Sequence, residues 1–235
     1  SLPESFKFVY VTPGCQFPTM VAMPKDRQLQ LINKAELANA MVIEDDYEIG
    51  LVGHVKLRPA LKSHDKAHRV IYVGSLSKTL SPSIRMGFIV AHRDIIKSAK
   101  IIRSLTVRHP PSIVQETTAM FLAHGYHDAH LKNLRQIYSQ RWHIMNKGIA
   151  RHLPMFTKGY SPGGTSFWLT GPAHFDAEIF AKRLQKRGVL IEPGHIFFNN
   201  GSPKNSFRIG FPSVAGSKID AGLKQIGEEA ENILR

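Results

Sequence analysis

Short runs of apolar residues, separated by glycine, proline and small polar residues, predict four strands in the first part of the chain. The runs lie near residues 8, 42, 72 and 88, and such runs are typical of buried strands in a parallel sheet. Pro24 and Asp26 indicate the start of a helix after the first strand. Its predicted apolar stripe comprises Leu29, Ile32, Ala35 and Ala38. These elements predict an incomplete α/β layer with a mostly parallel sheet.

Helices dominate the middle of the chain. A helix predicted over 95–105 is broken by the proline pair at 110–111, and Ser112 with Gln115 predicts a capping box for the next helix. That helix is expected to pause at Gly125 and then to resume. Its apolar stripe comprises Leu131, Leu134, Tyr138, Trp142 and Met145. This stripe is typical of packing rather than of a ligand site.

The last third predicts a small α+β domain. Strands are predicted over 166–169, 189–191 and 207–211, with a helix over 176–187 and a final helix near the end of the chain. Asp176 is expected to cap its helix. The final helix carries an apolar stripe of Ile219, Leu223, Ile226, Ala230 and Ile233. We place the domain boundary at the proline pair, which gives a partial large domain over 1–110 and a long helix with the small domain over 111–235.

Composition narrows the class of protein. At 235 residues, with 43% hydrophobic and 21% charged residues, the chain is expected to fold around a substantial core as one or two domains. No apolar run approaches the ~20 residues of a membrane span, and the first residues lack the pattern of a secretory signal. The only cysteine, Cys15, excludes an internal disulfide and favours a reducing cytoplasm. The twelve histidines are scattered, and no metal-ligand cluster is evident.

The net charge of +13 raises the question of nucleic-acid binding. The basic residues are dispersed along the sequence, and neither zinc-finger spacing nor an RNA-binding aromatic motif is present. A solvated basic surface that favours anionic ligands is the simpler interpretation. Contact between this part of the chain and DNA is a secondary one.

The stretch 70–90 carries the first candidate for chemistry. It consists of an apolar run, a small polar loop that contains Lys78, and a second apolar run that follows Arg85. The loop is expected at one edge of the sheet, where open α/β folds hold their ligands. A lysine there can act as a nucleophile when it has a carbonyl partner. Taken by itself, Lys78 is better interpreted as a solvated loop lysine.

A second stretch adds acidic groups at the same sheet edge. The apolar run that ends at Ile43 is followed by three carboxylates at positions 44–46 and by Tyr47. Adjacent carboxylates repel one another, so we expect a cation or hydrogen-bonded partners near them. The separation of Asp45 from Lys78, 78 − 45 = 33 positions, leaves room for one crossover and a return strand. Two parallel strands could therefore present a carboxylate and a lysine to one crevice.

These motifs resemble a known family. IEDDY followed by GSLSKTLSPSIRMG resembles the pyridoxal-phosphate enzymes of aminotransferase fold type I, and more closely the aminotransferase-like domain of MocR-type transcription regulators, a branch of the GntR regulators. TPGCQFPTMVAMPKDRQLQL resembles the segment ahead of their acidic motif, and HLKNLRQIYSQRW resembles their long interdomain helix. The four motifs occur in the family's order and cover nearly the whole chain.

The resemblance implies that this chain is part of a longer protein. In the family, a glycine-containing phosphate loop and an aromatic residue that stacks on the cofactor ring precede this region. In a regulator, a winged helix-turn-helix domain comes before both. We therefore expect a partial fold type I large domain followed by a small α+β domain, with DNA contacted only through a winged helix outside this sequence.

The resemblance also implies roles for individual residues. Lys78 would form an imine with pyridoxal 5'-phosphate, and Asp45, in preference to Asp46, would hold the ring nitrogen protonated. Tyr47 would reach the phenolic oxygen. As alternatives, the aspartate could cap a turn and the tyrosine could pack at the sheet edge.

The phosphate candidates lie on both sides of Lys78. Serine hydroxyls and an arginine fork suit a phosphate group, and the resemblance implies that Ser75, Ser77 and Arg85 supply them. Ser77 could instead only shape the turn, so Arg85 and Ser75 rank above it.

Arg208, in the motif SFRIGF, is the candidate for an effector or substrate. A charged residue between apolar residues on a strand is seldom buried without a partner. In the family, the arginine of this motif binds the carboxylate of the substrate as a bidentate pair. The alternative is an edge-strand arginine that faces water.

Three positions depart from the family pattern. Phe17 stands before Pro-Thr where the enzymes have an asparagine that contacts the cofactor, and phenylalanine cannot make that hydrogen bond. Cys15 and Met20 stand where the regulators commonly have histidine and glycine. These changes argue against efficient transamination more than against cofactor binding.

The first hypothesis is therefore the effector-binding and dimerisation domain of a MocR-type regulator, which binds pyridoxal phosphate on Lys78 and senses an amino compound or amino acid. The second is a catalytically active aminotransferase. A third is a cofactor-free piece, because the upstream phosphate contacts are not in this sequence. A homodimer is implied by the resemblance, since sites of this fold usually lie at a subunit interface.

Overall fold

A computed structural model of the chain describes residues 5–48, 51, 59–159, 164–199 and 203–234. These residues form two compact units. The first contains the described residues of 1–16, 22–51 and 56–134, and the second contains those of 17–21 and 135–235. The units divide inside a long helix, between residues 134 and 135. The boundary at the proline pair 110–111 stays a prediction.

The first unit is built on a four-stranded sheet whose spatial order follows the sequence. Its strands are β1 (Phe8–Val11), β2 (Met41–Asp46), β3 (Val70–Ser75) and β4 (Gly87–Val90). The first three are parallel, and β4 pairs with β3 in the antiparallel sense. The carboxyl ends of β2 and β3 therefore meet at one edge, where Asp45 lies opposite Val73 and Asp46 lies opposite Gly74.

Helix α1 (Lys25–Leu37) supplies one side of the core of the first unit. That core consists of Leu31, Ile32, Ala35, Val42, Leu61 and Val70. The predicted apolar stripe was partly wrong, because Leu29 is exposed whereas Gln28 and Leu31 are buried. A spacing of three residues drifts around a helix that has 3.6 residues per turn, so Leu29 and Ala35 do not share a buried face.

Two glycines let β3 and β4 approach each other closely. A Cβ atom on Gly87 would lie 2.6 Å from the carbonyl oxygen of Gly74, and one on Gly74 would lie 2.4 Å from the Phe88 ring. Residues with side chains would push the strands apart. The pairing brings together the two ends of the loop that contains Lys78, and the Leu76 amide donates to the Met86 carbonyl at 3.0 Å.

Helices α2 (Arg93–Thr106), α3 (Ser112–Ala123) and α4 (Tyr126–His152) follow the first sheet. The predicted pause at Gly125 is confirmed, since this residue has a φ of 71° between α3 and α4. The predicted capping box was wrong. Ser112 is already the first residue of α3, and the Gln115 side chain donates to the Pro110 carbonyl at 2.9 Å. No helix among the described residues has the length and apolar character needed to cross a membrane.

The second unit packs helices on an antiparallel sheet. Its strands are β5 (Thr157–Lys158), β6 (Ser166–Thr170), β7 (Glu192–Pro193) and β8 (Ser206–Gly210), in the spatial order β5-β6-β8-β7. Its helices are α5 (Ala177–Lys186) and α6 (Gly216–Leu234), with the second part of α4. The strand predicted over 189–191 was misplaced, because pairing begins only at Glu192. A short apolar run such as 189–191 predicts a strand, but a strand forms only where a neighbouring strand offers backbone groups to pair with.

Two other predictions for this unit, the cap of α5 and the apolar stripe of α6, are confirmed. Asp176 caps α5, since one carboxylate oxygen accepts from the amides of Glu178 at 2.9 Å and Ile179 at 3.0 Å. The stripe predicted for α6 enters the core through Ile219, Leu223, Ile226 and Ala230, with Ile233 partly buried against it. The core also contains a group of aromatic rings, namely Phe156, Phe167, Phe175, Phe180, Phe207 and Phe211.

Candidate functional site

The acidic run at the end of β2 begins with a structural carboxylate. Glu44 is buried, and its two oxygens accept hydrogen bonds of 2.7 Å from the amides of Leu61 and Lys62. Burial raises the pKa of Glu44, although these two amides oppose the rise. Glu44 therefore ties β2 to the short 3-10 helix Leu61–His64 and does not face a ligand.

The next two carboxylates are held by tyrosines. The Tyr10 hydroxyl on β1 donates to Asp45, and the Tyr72 hydroxyl on β3 donates to Asp46 at 2.9 Å. The hydrogen bond to Asp45, followed by burial and by the charge of Asp45, raises the pKa of Tyr10 to about 12. Burial raises the pKa of Asp46, although the Tyr72 hydroxyl opposes the rise. The sequence analysis predicted either a cation or hydrogen-bonded partners near these carboxylates. The partners of Asp45 and Asp46 are the hydroxyl groups of two tyrosines.

Lys78 lies beside the residues that follow β2. Its Nζ is 2.9 Å from an oxygen of Glu48 and 4.4 Å from the centre of the Tyr47 ring. The Lys78 side chain is 40% exposed, whereas that of Glu48 is only 2% exposed. An ammonium over an aromatic face and beside a carboxylate is held from two directions. The structure thus brings together Lys78 and Tyr47, two of the predicted site residues.

Glu48 was missed by the sequence reasoning. It stands directly after Tyr47, at the end of the acidic run, so its position beside the motif was the available signal. Cys15 also lies next to Glu48, Tyr47 and Lys78. Burial, and then the charge of Glu48, raise the pKa of the Cys15 thiol to about 12, while the Tyr47 hydroxyl and Lys78 oppose the rise. Cys15 is therefore held as a neutral thiol beside Glu48.

The three phosphate candidates lie on the loop between β3 and β4. Ser75 ends β3, and its hydroxyl oxygen accepts from the Ser77 amide at 3.3 Å. Its hydroxyl donates to no residue that the structure describes, so it can donate to a ligand. Arg85 follows the short 3-10 helix Pro82–Ile84 with a φ of 49°. Arg85 is exposed and forms no ion pair within the part of the chain that the structure describes. Both groups can thus donate to an anion at this loop.

Arg208 lies in the second unit, on the interior strand β8. Its Nε donates to the Ser166 hydroxyl at 2.9 Å, and its Nη1 donates to Glu192. The guanidinium carbon lies 5.0 Å from the centre of the Phe17 ring. The side chain is only 13% exposed, so the alternative of an edge-strand arginine that faces water was wrong. Phe17, which departs from the family pattern, packs on this guanidinium.

A family model of aminotransferase class I and II matches residues 2–226. The chain belongs to this family. Its curated relatives include transcription regulators: it is 35% identical over 226 residues to the HTH-type transcriptional regulator TauR of Rhodobacter capsulatus, covering 96% of this chain and 47% of that protein. It is 28% identical over 221 residues to the probable rhizopine catabolism regulatory protein MocR of Rhizobium meliloti, covering 94% and 45%. The chain thus spans about half the length of these relatives.

Solved structures of the aminotransferase family share the fold. The crystal structure of Pyrococcus horikoshii kynurenine aminotransferase in complex with PMP matches with a TM-score of 0.91 at 30% sequence identity, over 97% of this chain and 57% of that chain. The predicted fold class, a fold type I α/β layer followed by a small α+β part, is confirmed, and so is the resemblance to MocR-type regulators. The ligand roles of Lys78, Asp45, Tyr47, Arg85 and Arg208 stay predictions, as do those of Ser75 and Ser77.

Proposed function

We propose that the chain is the effector-binding and dimerisation domain of a MocR-type transcription regulator, which binds pyridoxal phosphate as an imine on Lys78 and senses an amino compound. The observation that carries the proposal is the placement of Lys78 against Tyr47, at the carboxyl edge of two parallel strands, in a member of the aminotransferase family. Ligands of open α/β folds bind at that edge.

The donor set fits the cofactor. When bound, pyridoxal phosphate supplies an aldehyde that reacts with amines and a ring that accepts electrons. Lys78 is 40% exposed and so can be reached by an aldehyde. Tyr47, whose ring centre is 4.4 Å from the Lys78 Nζ, would donate to the phenolic oxygen. Ser75 offers a hydroxyl for a phosphate, and Arg85 offers a guanidinium that pairs with no carboxylate among the described residues. Asp45 accepts from Tyr10 through one oxygen, and its other oxygen could serve the ring nitrogen.

Arg208 would hold the carboxylate of the effector. A guanidinium can bind a carboxylate through two parallel hydrogen bonds, and Ser166 and Phe17 hold this one in place. The amine of the effector would replace Lys78 on the cofactor. Binding would then shift the populations of domain arrangements, and so change the DNA affinity of a winged helix elsewhere in a longer homodimeric protein.

A second candidate function is turnover as an aminotransferase. It is favoured by the match to the Pyrococcus horikoshii aminotransferase at a TM-score of 0.91. Against it stands Phe17, which packs on Arg208 in place of the asparagine of the enzymes. The departure removes a hydrogen bond to the cofactor without removing its covalent attachment.

The test is an absorption titration of the purified chain with pyridoxal phosphate, followed by a panel of amino acids. A lysine imine absorbs near ~420 nm, and we expect this band to form and then to shift when an effector is added, without accumulation of an oxo acid. Steady production of an oxo acid would favour the enzyme. If no band forms, in this chain or in a longer protein that contains it, the proposal is rejected.

A further inference from the structure

The strand register places Arg208 between two different neighbours on one face of the second sheet. Phe207 and Ile209 point into the core of this unit, so Arg208 points to the opposite face. Trp168 on β6 and Glu192 on β7 lie directly opposite Arg208 on its two sides. Arg208 therefore forms an ion pair with Glu192, a carboxylate of the same chain.

The contacts of the guanidinium leave one edge for a ligand. The Ser166 hydroxyl accepts a hydrogen bond from Nε at 2.9 Å, and Phe17 covers one face of the guanidinium. A carboxylate that binds through two parallel hydrogen bonds would then use the edge formed by Nη1 and Nη2. Glu192 already accepts from Nη1. Nη2 makes no hydrogen bond to any residue that the structure describes.

The two partners of this ion pair differ in how firmly they are held. Arg208 is 13% exposed, whereas Glu192 is 48% exposed. An ion pair with one partner largely in water is weak, because water solvates the carboxylate nearly as well. Glu192 can thus turn out to solvent, while Ser166 and Phe17 keep the guanidinium in place.

We infer that Glu192 occupies the anion-binding edge of Arg208 in the ligand-free protein, and that a ligand carboxylate binds by displacing it. Glu192 is then a specificity-determining residue. A ligand must displace Glu192 to bind Arg208. Ligands whose carboxylate forms two hydrogen bonds to Arg208 are therefore favoured over ligands that offer only one neutral acceptor. This inference rests on the proposed role of Arg208 in carboxylate binding.

The experiment compares carboxylate binding before and after removal of the Glu192 charge. Propionate and L-alanine are the probes, n-propylamine is the probe without a carboxylate, and the fluorescence of Trp168, opposite Arg208, is the readout. We expect Glu192→Gln to lower the dissociation constant for propionate about fivefold, the upper range for a partly exposed pair. Binding of n-propylamine should not change.

A matched control removes the same charge elsewhere in the unit. Glu228 is 47% exposed and accepts from Arg187 at 2.6 Å, so Glu228→Gln changes net charge and surface ion pairing equally. It should bind propionate as the unmodified chain does. Equal tightening in Glu228→Gln and Glu192→Gln would attribute the effect to net charge and overturn the inference.

Arg208→Gln separates this inference from the proposed function. We expect it to abolish propionate binding in both the unmodified and the Glu192→Gln backgrounds, with the thermal unfolding midpoint showing that each variant is folded. Propionate binding that survives Arg208→Gln, or that is absent from every variant, would reject the role of Arg208. Binding that needs Arg208 but is the same with and without Glu192 would reject only the inference.

Discussion

Lys78 and Glu48 form an ion pair of 2.9 Å in which the cation is accessible and the carboxylate is buried, with side-chain exposures of 40% and 2%. This asymmetry suits a site in which the lysine must react with a ligand. The ion pair therefore stabilises the charge of Glu48 more than that of Lys78, because a buried carboxylate loses most of its solvation by water, whereas Lys78 remains partly solvated.

Removal of Lys78 should therefore destabilise the protein. We expect Lys78→Ala to lower the free energy of unfolding by about 1–2 kcal/mol, less than for a fully buried pair because Lys78 is partly solvated. Adding Glu48→Gln should recover most of this loss. Denaturant unfolding of the single and double variants measures both effects.

The pair Lys182 and Glu178 on α5 is the matched control. These side chains lie 2.8 Å apart but are 70% and 47% exposed, so Lys182→Ala should leave stability nearly unchanged. If Lys78→Ala and Lys182→Ala have the same small effect, then Lys78 does not stabilise the buried charge of Glu48.

The adjacent residues Asp45 and Asp46 should differ in their effect on cofactor binding. Asp45→Asn removes the charge proposed to hold the ring nitrogen and should weaken pyridoxal phosphate binding about tenfold. Burial raises the pKa of Asp46 and so makes it a poorer anionic partner for the ring nitrogen, and Asp46→Asn should leave the affinity close to that of the unmodified chain. An absorption titration measures both. The reverse order of effects would transfer the proposed role to Asp46.

The raised pKa of Asp46 predicts a pH dependence of stability. The folded state binds a proton at Asp46 more tightly than the unfolded chain does, because burial disfavours the charge. The stability from this group is present below the ordinary pKa of aspartate and is lost as pH rises through the folded-state pKa. The unfolding free energy of Asp46→Asn, relative to the unmodified chain, should therefore rise as the pH increases above the ordinary pKa of aspartate. A difference that does not change with pH would contradict the assignment.

Two glycines near the Lys78 loop should tolerate alanine unequally. On Gly87 the new Cβ would meet the Gly74 carbonyl oxygen at 2.6 Å, a backbone atom that can move only with its strand. On Gly74 it would meet the ring of Phe88, whose side chain is partly exposed and can rotate. We expect Gly87→Ala to cost about 2–4 kcal/mol and Gly74→Ala about half as much. Chemical denaturation would show the order, and equal losses would argue against this pairing of β3 and β4.

Local patterns predicted most of the strands and the Asp176 cap, because each depends on residues close in sequence. Two motifs at strand ends likewise predicted that the acidic run and the Lys78 loop lie at one edge of the sheet. The contacts of Tyr10 with Asp45 and of Phe17 with Arg208 could not be predicted in this way. These contacts join residues far apart in sequence, and the pattern of apolar and polar residues carries no information about them. Ser112 failed as a cap for a related reason, since Pro111 occupies the position before the helix and leaves Ser112 inside its first turn.

The most direct test of the proposed function is covalent trapping of the cofactor. The chain is incubated with pyridoxal phosphate, reduced with borohydride, digested and analysed by mass spectrometry. We predict one phosphopyridoxyl group per chain, on Lys78. The Lys78→Ala, Glu48→Gln double variant, which we expect to retain its fold, should carry no label on the peptide that contains position 78. Label spread over other lysines, or label undiminished in the double variant, would contradict the account.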